Sequence, residues 1–127
     1  MNVLLFDNHD SFSWILSHDL ERAGASVEVV RPEALAIDVD KLLTPFDAIV
    51  LSPGPGMPSD APGLMDVLAS AVKLRKPILG VCLGLQAIVE YFGGELENMN
   101  EVLHGRVRVL QIVENCDIFE NINSSCE

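Results

Sequence analysis

The sequence predicts an α/β fold built on a mostly parallel sheet. Three observations carry that expectation. Short apolar runs of strand length recur along the chain, segments with helix-period spacing separate them, and polar or glycine-rich loops close them. Runs that are apolar throughout, rather than alternating, are what strands buried on both faces require.

The elements follow in order. Val3-Leu4-Leu5-Phe6 is the first strand, and Asp7 to Asp10 form a polar loop after it. Asp10 or Ser11 is placed to cap the next helix, whose stripe is Phe12, Ile15, Leu16, Leu20 and Ala23 and whose end is Gly24. Val27 to Val30 is the second strand. Ala34 to Leu43 carries a weaker pattern, read as a short helix. Asp47 to Leu51 is the third strand, broken by Ser52-Pro53-Gly54-Pro55-Gly56. Leu64, Val67, Leu68, Ala71 and Val72 mark another helix. Ile78-Leu79-Gly80-Val81 is the fourth strand. Leu85, Ile88, Val89 and Phe92 mark the helix after it, closed by Gly93-Gly94, and Val107 to Val113 reads as a further strand in a mixed edge. No repeat, low-complexity segment or linker divides the sequence, so 1–127 is read as one domain.

Composition removes several classes of function. Hydrophobic residues make up 49% of the 127, which excludes an intrinsically disordered chain. Eight Lys and Arg against 19 Asp and Glu give a formal charge of −11, a balance that repels nucleic-acid phosphates and anionic membranes alike. Cys82, Cys116 and Cys126 are too few for a disulfide framework, so a reducing, cytoplasmic setting is expected. The start of the chain has no basic region before its first acid, Asp7, and is read as lacking a signal peptide. The longest nearly apolar stretch, Ile78 to Val89, is too short for a bilayer span. Neither a phosphate loop nor a dinucleotide fingerprint is present, and no cofactor or metal is expected.

Ligands of open α/β sheets bind at the carboxyl ends of the strands, so the loops after Phe6, Leu51 and Val81 are where chemistry is sought. Gly80-Val81-Cys82-Leu83-Gly84 is the most informative of them. It follows a strand and opens a helix, the context of a nucleophile elbow with sulfur in place of oxygen. Glycines two before and two after the nucleophile let strand and helix crowd together. The central side chain then points out of the sheet, at a helix N-terminus that favours thiolate over thiol. The Leu83 N–H faces the same spot, where it can stabilise an oxyanion. The plainer alternative is a buried cysteine packed as a small hydrophobe. Likewise, Ser52-Pro53-Gly54-Pro55-Gly56 is either a rigid donor loop at the end of a strand or an ordinary turn.

Three segments occur in order: Leu5-Phe6-Asp7-Asn8-His9-Asp10-Ser11-Phe12, Leu51-Ser52-Pro53-Gly54-Pro55-Gly56-Met57-Pro58, and Gly80-Val81-Cys82-Leu83-Gly84-Leu85-Gln86-Ala87. Together they resemble the class I (triad) glutamine amidotransferases. The Asp-Asn-x-Asp-Ser-Phe opening resembles the branch that serves the chorismate-using synthases of anthranilate and aminodeoxychorismate, hence of tryptophan and folate biosynthesis. The resemblance covers nearly the whole chain, Phe92-Gly93-Gly94 and His104-Gly105 included. It implies a flavodoxin-like three-layer sandwich. It also implies a glutaminase subunit that cleaves L-glutamine and passes ammonia to a synthase partner. In that reading Cys82 is the nucleophile that forms a glutamyl thioester. Leu83 and Gly56 supply the oxyanion-hole N–H groups, and Gly54, Pro55, Gly56 and Gln86 hold glutamine.

Two positions depart from the pattern. Leu85 stands where the nearest branch usually carries His. The resemblance also places the family's catalytic His-x-Glu segment past Glu127, so the chain reads as ending before its base, with little steady turnover alone and an uncovered apolar sheet edge. The histidines present are His9, His18 and His104, and the sequence pairs none of them with an orienting carboxylate. Two alternatives follow: a catalytically degenerate subunit that only binds the synthase, or another cysteine hydrolase on a similar scaffold.

Overall fold

Strand β1 (Asn2–Phe6) is the hub of the sheet. It pairs in parallel with β2 (Ser26–Val30) on one side and β3 (Ala48–Leu51) on the other, and β3 pairs in parallel with β4 (Ile78–Gly80). The order is therefore β2-β1-β3-β4, every neighbour parallel. Each crossover carries a helix: α1 (Ser13–Arg22) after β1, α2 (Val39–Leu43) between β2 and β3, α3 (Leu64–Lys73) between β3 and β4, and α4 (Leu83–Tyr91) after β4. This is the parallel α/β architecture that the spacing of apolar runs predicts. The computed structural model describes residues 1–35 and 38–99, together with the backbone of 110–111 and 125–126.

Alternation along β1 divides the core into two layers. Leu4 and Phe6 join Ile49, Leu51, Leu64, Val67, Leu68, Ala71, Leu83 and Ala87 on the face covered by α3 and α4. Val3, Leu5 and Val50 face the opposite side, against Leu16 and Leu20 of α1. Sheet between helix layers is the three-layer sandwich. The central strands are buried on both faces, whereas β4 is not: Leu79 is 44% exposed, and β4 pairs only with β3 among the described residues.

Two helices are rotated from their expected stripes. In α1 the buried face is Ser13, Leu16, Ser17 and Leu20, while Phe12, Trp14 and Ile15 stand exposed. The cause is Asp7, which is fully buried and draws Ser13 down to it by a hydroxyl donation at 2.6 Å. In α4 the buried face is Leu83, Gly84 and Ala87, while Leu85, Val89 and Phe92 stand exposed. There the small residues must face the sheet, because helix and strands meet at backbone distance.

The weak 34–43 pattern resolves into a 3-10 turn, Pro32–Ala34, and α2, with residues 36 and 37 outside the described residues. Of the strand expected over 107–113, only the backbone of β5 (Leu110–Gln111) is described, pairing antiparallel with β6 (Ser125–Cys126). Those strands lie in a second compact unit, Glu97–Glu127, distinct from Met1–Leu96. His104, Cys116 and the 115–120 run fall outside the described residues. No helix among the described residues is long and apolar enough to cross a membrane.

Candidate active site at the Cys82 elbow

Cys82 links β4 to α4 with φ +51° and ψ −107°. That is outside every region an L-residue occupies comfortably, and such a conformation stores about 1–3 kcal/mol. The surroundings explain how it persists. The Val81 N–H donates to Leu51 O at 3.0 Å, carrying the β3–β4 pairing right up to the elbow. On the far side the helix closes at once, with Gly84 N–H donating to Val81 O and Gln86 N–H to Cys82 O, both at 3.0 Å. A Cβ on Gly80 would sit 2.5 Å from the backbone of Gly84, and one on Gly84 would run into the Leu51 backbone. The two glycines therefore let α4 press on β3 and β4, and the elbow is what that approach leaves between them. Cys82 is exposed, a free thiol. The alternative of a cysteine packed inward as a small hydrophobe does not describe it.

The first N–H groups of a helix have no partner within it. Here the Leu83 N–H, immediately after the sulfur-bearing residue, has no acceptor among the described residues. The Gly56 N–H has none either, and Gly56 turns its loop at φ +77°. The three motifs that lie far apart in sequence meet at Gly54. A Cβ there would lie 2.6 Å from Asn8 Cβ and 2.6 Å from Leu83 Cδ2. The loop after β3 is thus wedged between the loop after β1 and the first residue of α4. Gly56 is exposed beyond that wedge, and Gln86 is exposed in the first turn of α4.

The loop after β1 is scaffold. Asp7 Oδ1 accepts from the Asp10 N–H at 3.1 Å and the Ser13 hydroxyl, and its Oδ2 accepts from Arg31 Nε at 2.9 Å. Burial pushes this carboxyl up, but the donors from Ser13, Arg31 and Asp10 and the Arg31 charge outweigh it and hold it below its ordinary 3.8. Asp10 Oδ1 accepts from the Phe12 N–H at 2.8 Å, just ahead of α1. His9 sits at φ +60° with Nε2 2.7 Å from Glu33 Oε1. A histidine with a carboxylate partner therefore does exist, which the sequence, with the two far apart along the chain, had no means of showing. The small hollow that His9 lines, about 130 Å³, is bounded by Pro32, Pro55 and Asp60 and by no residue of the elbow. His18 is exposed on α1.

The sequence model for class-I glutamine amidotransferases matches residues 4–127. The chain belongs to that family. Among the chain's relatives, anthranilate synthase component 2 of Haemophilus influenzae is 41% identical over 111 residues, covering 84% of this chain and 55% of that protein. The same component of Vibrio parahaemolyticus is 35% identical over 125 residues, covering 97% and 63%. A multifunctional tryptophan biosynthesis protein of Pichia angusta is 40% identical over 121 residues, covering 95% of this chain and 32% of that protein. The chain thus spans between about a third and two thirds of the length of these relatives. A solved structure from Thermoplasma acidophilum, described as a putative component of GMP synthase, superposes with a TM-score of 0.76 at 23% identity. The match covers 98% of this chain and 61% of that one, and the two share the fold.

Proposed function

We propose that the chain carries the glutamine-hydrolysing half of an anthranilate-synthase-type enzyme and delivers ammonia to a chorismate-converting partner. The observation that carries this reading is Cys82, exposed and strained between Gly80 and Gly84 with an unused Leu83 N–H beside it. The thiolate attacks the side-chain carboxamide carbon of L-glutamine. The resulting oxyanion takes hydrogen bonds from the Leu83 and Gly56 N–H groups. Collapse breaks the C–N bond and releases ammonia, and water then cleaves the glutamyl thioester to glutamate. Gly54, Pro55, Gly56 and Gln86 hold the substrate in this scheme. The group that takes up the thiol proton and returns it to the leaving nitrogen is expected on the family's His-x-Glu segment, since His9 is engaged with Glu33 and His18 stands exposed on α1.

The test is ammonia release from L-glutamine, with and without a chorismate-using synthase partner, by the wild-type chain and by Cys82→Ala. Release that needs both partner and sulfur, falling at least about a thousandfold without the nucleophile, supports the reading. Release that survives Cys82→Ala contradicts it. Tight partner binding with Cys82 left unmodified by a glutamine-like electrophile favours a subunit that only binds.

A further inference from the structure

We infer that Asn8 is a positioning residue for the reaction: it fixes the loop bearing the Gly56 oxyanion donor by clamping Ser52. The inference rests on the proposed role of Cys82 and deepens it. The Asn8 N–H donates to Ser52 Oγ at 2.9 Å, and Asn8 Nδ2 donates to the Ser52 carbonyl at 3.0 Å. The Ser52 hydroxyl passes the tie on by donating to the Pro53 carbonyl at 2.6 Å. The Ser52 N–H is held by Phe6 O at 3.0 Å, so the last residue of β1 and its neighbours grip Ser52 from both ends. Two residues later Gly54 is pinned between Asn8 Cβ and Leu83 Cδ2. Past that point nothing packs within 4 Å of the position a Gly56 Cβ would take. The course of the loop up to Gly56 is thus set at Ser52 and Gly54, both of which run through Asn8, while the buried Pro58 anchors it on the far side.

A second observation concerns the other end of the same amide. Asn8 is buried, yet its Oδ1 has no hydrogen-bond partner among the described residues. A buried acceptor left unpaired opposes folding. The side chain's useful end is the amide nitrogen, and that nitrogen serves the loop. Truncating it removes the orphaned Oδ1 but leaves the buried Ser52 carbonyl without its donor, so the positioning role is read from the ratio of two reactions at Cys82 and not from stability.

The experiment compares two alkylations of Cys82 in the full chain. Iodoacetamide reacts by direct displacement and needs no oxyanion hole. A chloroketone analogue of glutamine presents a carbonyl whose oxygen the Leu83 and Gly56 N–H groups would hold. Asn8→Ala is expected to slow the chloroketone about ten- to a hundredfold, as loss or misplacement of one donor does, while the iodoacetamide rate stays within about twofold. Asn8→Asp, which turns a carboxylate oxygen on the Ser52 carbonyl, is expected to be slower still. Ser52→Ala, the second variant in case Asn8→Ala folds poorly, is expected to give the same selective loss. The double variant should be no worse than the worse single, because both substitutions break one clamp. Equal chloroketone rates in wild type and variants, or equal slowing of both reagents, overturns the positioning role. A wild-type chain that the chloroketone does not modify at Cys82 overturns the reading of the site itself, a different and separable failure.

Discussion

At the scale of single residues, one of the three non-glycine residues with positive φ among the described residues, Cys82, stands where the chemistry is proposed. Cys82 holds a backbone conformation that only glycine occupies without strain, and its neighbours enforce it. Cys82→Gly is therefore expected to be more stable to denaturant than Cys82→Ala by about 1 kcal/mol, because the side chain is exposed and the strain relieved exceeds the extra freedom glycine gives the unfolded chain. An equal midpoint would show the elbow to be relaxed. Gly54→Ala is expected to lower stability by about 1–3 kcal/mol, since the new methyl would overlap Asn8 and Leu83, and to depress glutamine turnover with it. The elbow was legible in the sequence, because G-x-C-x-G after a strand has a steric meaning without any coordinates. The Asn8–Ser52 clamp and the His9–Glu33 pair were not legible, because each depends on which loops the sheet order brings side by side.

Among the elements the same division has a different cause. Every strand and every long helix in 1–96 lies where apolar runs and periodicity put it, because burial in a parallel sheet leaves a strong signature. The faces of α1 and α4 were not readable from hydrophobicity. A buried carboxylate rotates α1 to bring Ser13 down, and close backbone approach rotates α4 to bring Gly84 and Ala87 down, so polarity and size overrule the apolar stripe. Gly84→Ala tests the second cause: it should force α4 off β3 and lower stability by about 1–3 kcal/mol, measured by urea unfolding. Helix α3 offers an opposite case. Its last turn is closed by Arg75 N–H to Val72 O and Lys76 N–H to Ala71 O, with Arg75 left-handed at φ +54°. That is a position where glycine is the relaxed residue, so Arg75→Gly is expected to stabilise the chain by about 0.5–1 kcal/mol in the same assay.

At the scale of the whole unit, Asp7 joins three elements: β1, which leads into it, α1 through Ser13, and the end of β2 through Arg31. Its folded carboxyl titrates below the ordinary 3.8. Between those two values the unfolded chain binds the proton that the folded chain refuses, so stability rises with pH across that window. The contribution is complete above the unfolded value and is lost as pH falls through the folded one. Urea midpoints followed from about pH 2 to 6 should show that slope in the wild type and a shallower one in Asp7→Asn. In the proposed reaction all of this scaffolding has one purpose, to present the sulfur of Cys82 outward as the nucleophile toward glutamine. The most direct measurement is peptide mapping by mass spectrometry after brief exposure to a glutamine-like chloroketone, with and without excess L-glutamine. A single adduct on the peptide carrying Cys82, suppressed by L-glutamine, is the expected result. Adducts spread over Cys116 and Cys126, or labelling of Cys82 that L-glutamine does not slow, would contradict it.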